Sequence, residues 1–167
     1  MYQEVNGDLF TLAKNGKFDV IVHGCNCMSV MSAGIALEMA KRYNCHRFKL
    51  EEIGPSIEKL GCIDYETLHF SDWDKKFQKY PDAGDTILHS LTVVNAYTQY
   101  YPSVRSRPLD YEALTLCMRK INHTFKGKYI GMPMIGAGLA GGDWNKIRPI
   151  IERELKDCLV TVVVYNK

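Results

Sequence analysis

The feature that most constrains the fold is one order of elements that occurs twice: an apolar strand, then a loop of small residues, then a helix. Residues 18–22 (FDVIV) lead into HGCNCMSVMSAG and then into a helical pattern over residues 35–43. Residues 129–132 lead through a proline into MIGAGLAGGDW and then into a helical pattern over residues 146–157. Strands that alternate with helices predict an α/β sandwich, with a largely parallel central sheet and helices on both faces.

The remaining patterns fit the same class of fold. Further strands are predicted over residues 2–5, 60–70, 86–95 and 159–165. Residues 110–125 carry apolar side chains at three-to-four spacing, which predicts an amphipathic helix. Between these elements, residues 96–108 form a loop rich in Tyr, Arg and Pro. Such a loop is suited either to stacking bases and pairing phosphates or to lying on the surface, anchored by its tyrosines.

Length, charge and cysteine usage narrow the function classes. A chain of 167 residues has the length of one domain, so we expect a single domain over residues 1–167. Its 21 Lys and Arg against 19 Asp and Glu are too balanced to indicate a nucleic-acid or membrane partner. The N-terminal residues MYQEVNGDLF do not resemble a signal peptide, and the six cysteines fit no standard zinc spacing. We therefore expect a cytoplasmic monomer with reduced thiols, without a metal or cofactor.

The late loop MIGAGLAGGDW has the composition of a phosphate site. It holds four glycines within seven residues, and it ends where a helix is predicted to begin. Successive free N–H groups that lead into a helix N-terminus form an anion site. No Gly-Lys-Ser/Thr follows, which excludes a Walker loop. Gly136, Gly138 and Gly141 have the dinucleotide spacing GxGxxG, but they lie near the end of the chain rather than after a first strand.

The earlier loop offers polar side chains instead. Asn26 has a donor and acceptors suited to a sugar hydroxyl, and His23 is a possible general base or a buried structural residue. Asp8 follows a glycine and is predicted to cap a short helix or to accept a hydrogen bond from an exocyclic amine. Because ligands bind outside the carboxyl ends of parallel strands, we expect the two small-residue loops on the same rim of the sheet.

Four motifs stand in the order typical of one family. They are GDL near the N-terminus, VHGCNC at a strand end, SAGIA at a helix start, and PMIGAGLAGGDW near the C-terminus. The chain resembles macro domains over nearly its whole length, and most of all the small stand-alone branch with ADP-ribose-1''-phosphate phosphatase activity, which includes bacterial and phage proteins. The resemblance implies a three-layer α/β/α sandwich and a ligand that is ADP-ribose or a derivative.

The resemblance also implies which residues bind that ligand. Asp8 would bind the adenine amine beside the backbone of Leu9, Asn26 would face the distal ribose, and Tyr165 would pack on the adenine or simply pack at its strand end. The diphosphate would lie along two backbone segments, made of Ala33, Gly34 and Ile35 and of Gly136, Ala137, Gly138, Leu139 and Ala140.

The implied reaction is metal-independent hydrolysis of ADP-ribose-1''-phosphate to ADP-ribose and phosphate. His23 would activate water, Asn26 would lie beside the 1'' substituent, and Asp143 would assist as a base or cap the last helix. A related deglycosylase branch has a catalytic lysine where this chain has Ala40 and an aspartate where it has Ala140, which disfavours lysine-dependent chemistry. The alternatives are a non-catalytic module that binds ADP-ribose or an NAD-derived nucleotide, and a hydrolase of O-acetyl-ADP-ribose or protein-linked mono-ADP-ribose.

Overall fold

A computed structural model describes residues 1–69, 90–102, 109–138 and 140–165. Within these residues one sheet has six strands: β1 (Tyr2–Asn6), β2 (Val20–Asn26), β3 (Ile63–Leu68), β4 (Leu91–Gln99), β5 (Tyr129–Met132) and β6 (Leu159–Val164). Their order across the sheet is β1-β6-β5-β2-β4-β3. All neighbouring pairs are parallel except β3 and β4, so the predicted mixed, largely parallel sheet is confirmed.

Helices flank the sheet. They are α1 (Leu9–Lys14), α2 (Gly34–Tyr43), α3 (Lys49–Glu52), α4 (Tyr111–Thr124) and α5 (Trp144–Glu154). Two 3₁₀ turns, Cys45–Arg47 and Ile57–Lys59, join α2 and α3 to β3. No helix in the described ranges is long and apolar enough to cross a membrane.

The alternation of side chains along β2 shows how the layers arise. Val20 and Val22 point into a core shared with α4 and α5, whereas Ile21 points into a second core shared with α1 and α2. All three side chains are buried, because the strand has an apolar layer on each face. The result is the predicted three-layer α/β/α sandwich.

Two central strands end later in the chain than the sequence pattern predicted. Strand β2 continues four residues beyond the predicted end at residue 22, and β4 continues to Gln99 where a loop was predicted from residue 96. His23 and Asn95, which stand at these two predicted ends, are register partners and bond to each other, with Nε2 to Oδ1 at 2.6 Å. Because each satisfies the other inside the sheet, the strands continue past them.

Candidate functional site

A cavity of about 370 Å³ opens at the carboxyl ends of β2, β4 and β5. Its described lining residues are Gly24, Asn26, Val30, Ser32, Ala33, Gly34, Ile35, Ala36, Gln99, Pro102, Met134, Gly136, Gly138 and Ala140. The volume lies within the range of small-molecule sites. Residues from both small-residue loops meet here, so the prediction that these loops share one rim of the sheet is confirmed.

The second loop, residues 133–142, is shaped by its own backbone. The N–H of Gly142 donates to the carbonyl of Gly136 at 2.8 Å, and the N–H of Gly141 donates to the carbonyl of Gly138 at 3.0 Å. Gly136 has a φ of +78°, in the left-handed region that favours glycine. At Gly138 a Cβ would meet no atom within 4 Å. The loop therefore presents backbone, rather than side chains, to the cavity.

Tight packing explains the glycine at the end of this loop. A Cβ on Gly142 would touch the side chain of Leu109 and would lie 2.6 Å from the carbonyl oxygen of Gly136 and 2.9 Å from Cδ1 of Ile147. Real Cβ atoms do not approach so closely. Gly142 thus lets the loop fold back against the start of α4 and against α5.

The first loop, residues 27–33, ends at the N-terminus of α2. Ala33 is the N-cap residue, and its side chain makes no capping hydrogen bond. The first N–H groups of a helix have no partner within the helix, and they carry the positive end of its dipole. Ser32, Ala33, Gly34, Ile35 and Ala36 all line the cavity. The uncapped end of α2 therefore faces the cavity opposite the glycine loop.

Asn26 is fixed by the turn that it forms. Its Nδ2 donates to the carbonyl of Val30 at 2.7 Å, and its Oδ1 accepts from the N–H groups of Met28 at 3.1 Å and Val30 at 3.2 Å. Both Asn26 and Val30 line the cavity. The amide thus holds the shape of residues 26–30 and is itself exposed to a ligand.

Comparison with known proteins places this arrangement in a family. An uncharacterized 17.5 kDa protein from the tk-vs intergenic region of Enterobacteria phage T4 is 30% identical over 154 residues, which cover 89% of this chain and 86% of that protein. The chain belongs to the family of this phage protein. No sequence model of a known protein family matches it.

Solved structures show which fold this family has. A protein of unknown function from Bacteroides thetaiotaomicron has a TM-score of 0.71 and 22% identity, covering 98% of each chain. The macrodomain of Thermus aquaticus DarG has a TM-score of 0.66 and 18% identity, covering 100% of this chain and 99% of that chain. Thermosipho africanus DarTG in complex with ADP-ribose has a TM-score of 0.67 and 17% identity, covering 98% of this chain and 41% of that chain. The fold is that of a macrodomain.

His23 has a different place in this macrodomain fold from the one predicted. It is fully buried, and Asn95, its partner in the sheet, donates from Nδ2 to the carbonyl of Cys45 at 3.0 Å. Asn95 therefore turns Oδ1 toward Nε2 of His23, which assigns the ring proton to Nε2. Burial lowers the pKa of His23 to about 4, against a smaller raising effect of the Asn95 hydrogen bond. His23 does not line the cavity, so the prediction that it activates water there is corrected.

Asp143 is engaged at a helix start. Its Oδ1 accepts from the N–H of Asn145 at 2.9 Å, which makes Asp143 the N-cap of α5, as the alternative prediction had it. Its own N–H donates to the hydroxyl of Tyr111 at 2.9 Å. Asp143 does not line the cavity. Its predicted role as an assisting base is therefore corrected to that of a helix cap.

The residues predicted to bind adenine lie at the carboxyl ends of the neighbouring strands β1 and β6. Asp8 caps α1, with Oδ1 accepting from the N–H groups of Phe10 at 2.8 Å and Thr11 at 3.1 Å. The N–H of Gly7 bonds the carbonyl of Val164 at 3.0 Å, which brings Asp8 near Tyr165, whose side chain is 67% exposed. Asp8, the buried Leu9 and Tyr165 lie at the same end of the sheet as the cavity but do not line it.

Of the remaining predicted site residues, some line the cavity and others lie outside the described residues. Ala33, Gly34, Ile35, Gly136, Gly138 and Ala140 line the cavity, whereas Ala137 is in the second loop without lining it. Leu139, residues 70–89 and residues 103–108, which include both arginines of the predicted Tyr- and Arg-rich loop, lie outside the described residues. Sequence reasoning missed Gln99 and Pro102, because the end of β4 was placed too early.

The described lining of the cavity has no ionisable side chain. Among the described residues there is no group of three or more His, Cys, Asp or Glu side chains placed to hold a metal ion. All six cysteines are free thiols, and burial raises the pKa of Cys25 and raises that of Cys27 to about 11. The thiols of Cys25 and Cys27 are therefore protonated near neutral pH. The site offers neutral polar groups and backbone dipoles.

Proposed function

We propose that the chain binds ADP-ribose in this cavity, with the diphosphate between the two loops. The observation that carries the proposal is the uncapped N-terminus of α2 facing the glycine loop across the cavity. Both elements present backbone N–H groups, which bind phosphate oxygens without a cationic side chain. The Thermosipho africanus DarTG structure, which contains ADP-ribose and shares this fold, supports the same ligand class.

The two ends of the ligand follow from this placement of the diphosphate. Ala33, Gly34 and Ile35 lie along one side of the diphosphate, and Gly136, Ala137, Gly138, Leu139 and Ala140 wrap the other side. Asn26 contacts the distal ribose, because it stands in the cavity at the end of β2. The adenine reaches toward the ends of β1 and β6, where Asp8 and the backbone of Leu9 bind its amine and Tyr165 packs on its ring.

Hydrolysis of ADP-ribose-1''-phosphate is the second candidate function. It is favoured by the rigid placement of Asn26, which would lie beside the 1'' phosphate, and by loop N–H groups that would stabilise charge on phosphoryl oxygens. The buried His23 does not supply a base, and the described lining has no ionisable group to replace it. Binding of ADP-ribose is therefore the primary proposal, and hydrolysis of ADP-ribose-1''-phosphate is the second, more specific one.

The test places a charge at the end of α2. Ala33→Asp is expected to cap the helix, since residue 33 has the extended backbone of an N-cap, while its carboxylate repels the diphosphate. Calorimetric titration with ADP-ribose should show micromolar binding by the natural chain and a loss of at least tenfold in Ala33→Asp, with an equal or higher melting temperature. Ala33→Asn is the matched neutral control and should lose less affinity.

Phosphate release from ADP-ribose-1''-phosphate in EDTA separates the two candidates. Release by the natural chain supports the phosphatase activity without a metal, whereas binding without release leaves a binding module or a hydrolase of another 1'' linkage. A folded natural chain that fails to bind ADP-ribose contradicts the proposal itself.

A further inference from the structure

We infer that Lys59 is a positioning residue for the ADP-ribose site: it holds the first loop in place through Ser29, with Glu51 as its counter-ion. The inference rests on the proposed function. Its basis is a group of four side chains, the buried Lys59, Glu51 and Tyr97 and the half-buried Ser29, which we call the Lys59 cluster. The cluster lies beneath the first loop and outside the cavity lining.

The side chain of Lys59 is buried, and its ammonium group contacts several polar partners. Its side chain is 1% exposed, and its Nζ donates to Oγ of Ser29 at 2.6 Å and to the carbonyl of Leu50 at 3.0 Å. Oε2 of Glu51, whose side chain is 2% exposed, lies 3.8 Å from Nζ. The ring of Tyr97 lies 5.2 Å from Nζ. One ammonium group therefore joins the first loop, α3 and β4.

Glu51 is held from the opposite side. Its Oε2 accepts from the hydroxyl of Tyr97 at 2.8 Å. Burial raises the pKa of the Glu51 carboxyl, while the Tyr97 hydrogen bond and the Lys59 charge oppose that effect. A buried ion pair is a poor source of net stability, because desolvation offsets the attraction between the charges. The pair of Lys59 and Glu51 is better explained by a role in fixing the position of the first loop, which is bonded to it.

Ser29 gives the second, independent observation. Its φ is +59°, in the left-handed region where glycine or asparagine is the usual residue. The hydroxyl accepts from Lys59 and donates to the carbonyl of Glu51 at 3.2 Å. A serine thus occupies a backbone position that disfavours it, and its hydroxyl is the link between the loop and the Lys59 cluster.

The position of Ser29 transmits this link to the cavity. Ser29 lies inside the turn of residues 26–30, which the amide of Asn26 closes. The two ends of that turn, Asn26 and Val30, line the cavity. Movement of Ser29 therefore moves the groups that we assign to the distal ribose, although Lys59 itself touches no ligand.

The decisive variant is Ser29→Gly. It relieves the positive φ and removes the hydroxyl, so a purely structural role for the cluster predicts no change in ligand affinity. We expect at least a fivefold loss of ADP-ribose affinity with little change in melting temperature, because relief of the positive φ offsets the lost hydrogen bond to Lys59. The matched control is Asn44→Gly, at the other described non-glycine residue with positive φ (+57°), which is the C-cap of α2. It should bind as the natural chain does.

A second pair of variants keeps the inference testable if the cluster also affects folding. Lys59→Met leaves Glu51 buried without its cation and should lower the melting temperature. Adding Glu51→Gln removes that charge and should restore much of the melting temperature, but not the affinity. Recovery of both together would show that Lys59 acts on stability alone and would overturn the inference.

Hydrogen exchange in the absence of ligand separates this inference from the proposed function. The N–H groups of Met28 and Val30, both bonded to Asn26, should exchange faster in Ser29→Gly and at the natural rate in Asn44→Gly. Unchanged exchange or unchanged affinity in Ser29→Gly overturns the role of Lys59. If exchange is faster in Ser29→Gly but the natural chain does not bind ADP-ribose, the proposed function is overturned. The finding that Lys59 positions the first loop through Ser29 would still stand.

Discussion

The two loops that face each other across the cavity are held by opposite means. The first loop is held by hydrogen bonds of side chains: Asn26 closes the turn, and Ser29 bonds to Lys59 beneath it. In the second loop, backbone N–H groups bond to backbone carbonyls, and Gly142 packs where no side chain would fit. Both loops present backbone to the same space.

This difference determines which substitutions should disturb the structure of each loop. A loop held by buried polar side chains depends on residues distant in sequence and on the protonation of groups beneath it. A loop held by its backbone depends on the absence of Cβ atoms. Substitutions that affect the first loop are therefore expected to act by removing hydrogen bonds of polar side chains. Substitutions in the second loop are expected to act by adding side-chain volume.

The largest effect is expected at Gly142. Gly142→Ala places a Cβ against Leu109, Ile147 and the carbonyl of Gly136, and all three must shift. Overpacking of this kind costs about 3 kcal/mol of unfolding free energy. Urea unfolding measures the loss, and calorimetry should show weaker ADP-ribose binding as well. A loss below about 1 kcal/mol would mean that the second loop is not held by close packing.

An intermediate effect is expected from pH, through the buried His23 of β2, the strand that leads into the first loop. Its pKa is lowered from 6.5 to about 4 in the folded chain, so below pH 6.5 the unfolded chain binds a proton that the folded chain does not. The stabilisation is therefore present above pH 6.5 and is lost as the pH falls toward 4. Between pH 7 and pH 5 the loss is about 2 kcal/mol.

Urea unfolding at both pH values, with His23→Gln as the reference, measures this contribution. Glutamine retains a donor for Asn95 but does not titrate, so the difference between the two proteins cancels the other ionisable groups. Parallel pH profiles would show that the pKa of His23 does not differ between the folded and the unfolded chain, which would contradict its burial as a neutral ring.

The smallest effect on the fold is expected at Gly138. A Cβ there meets no atom within 4 Å, so Gly138→Ala should leave the melting temperature unchanged or slightly higher. The added methyl group would nevertheless stand at the cavity, and we expect a several-fold loss of ADP-ribose affinity by calorimetry. Equal affinity would place the diphosphate away from the second loop, even if Gly142→Ala behaves as expected.

The sequence predicted the second loop better than the first. The glycine spacing that indicated a phosphate site is also what shapes the loop, because glycine acts through its own backbone. For the first loop, the pattern correctly placed Asn26 at the cavity but assigned the chemistry to His23. The groups that support that loop, Lys59 and Glu51, had no local signal, since their partners lie 30 and 46 residues away along the chain.

By itself, the sequence determined the layered α/β fold and the shared rim of the two loops. Strand and helix periodicities are local, and parallel strands bring their carboxyl ends to one edge. Only the tertiary structure decided which polar side chains reach the cavity. His23 and Asn95, 72 residues apart, satisfy each other inside the sheet, and Asp143 caps a helix. Whether a polar group faces a ligand or a partner depends on what packs beside it, and residues distant in sequence supply that neighbour.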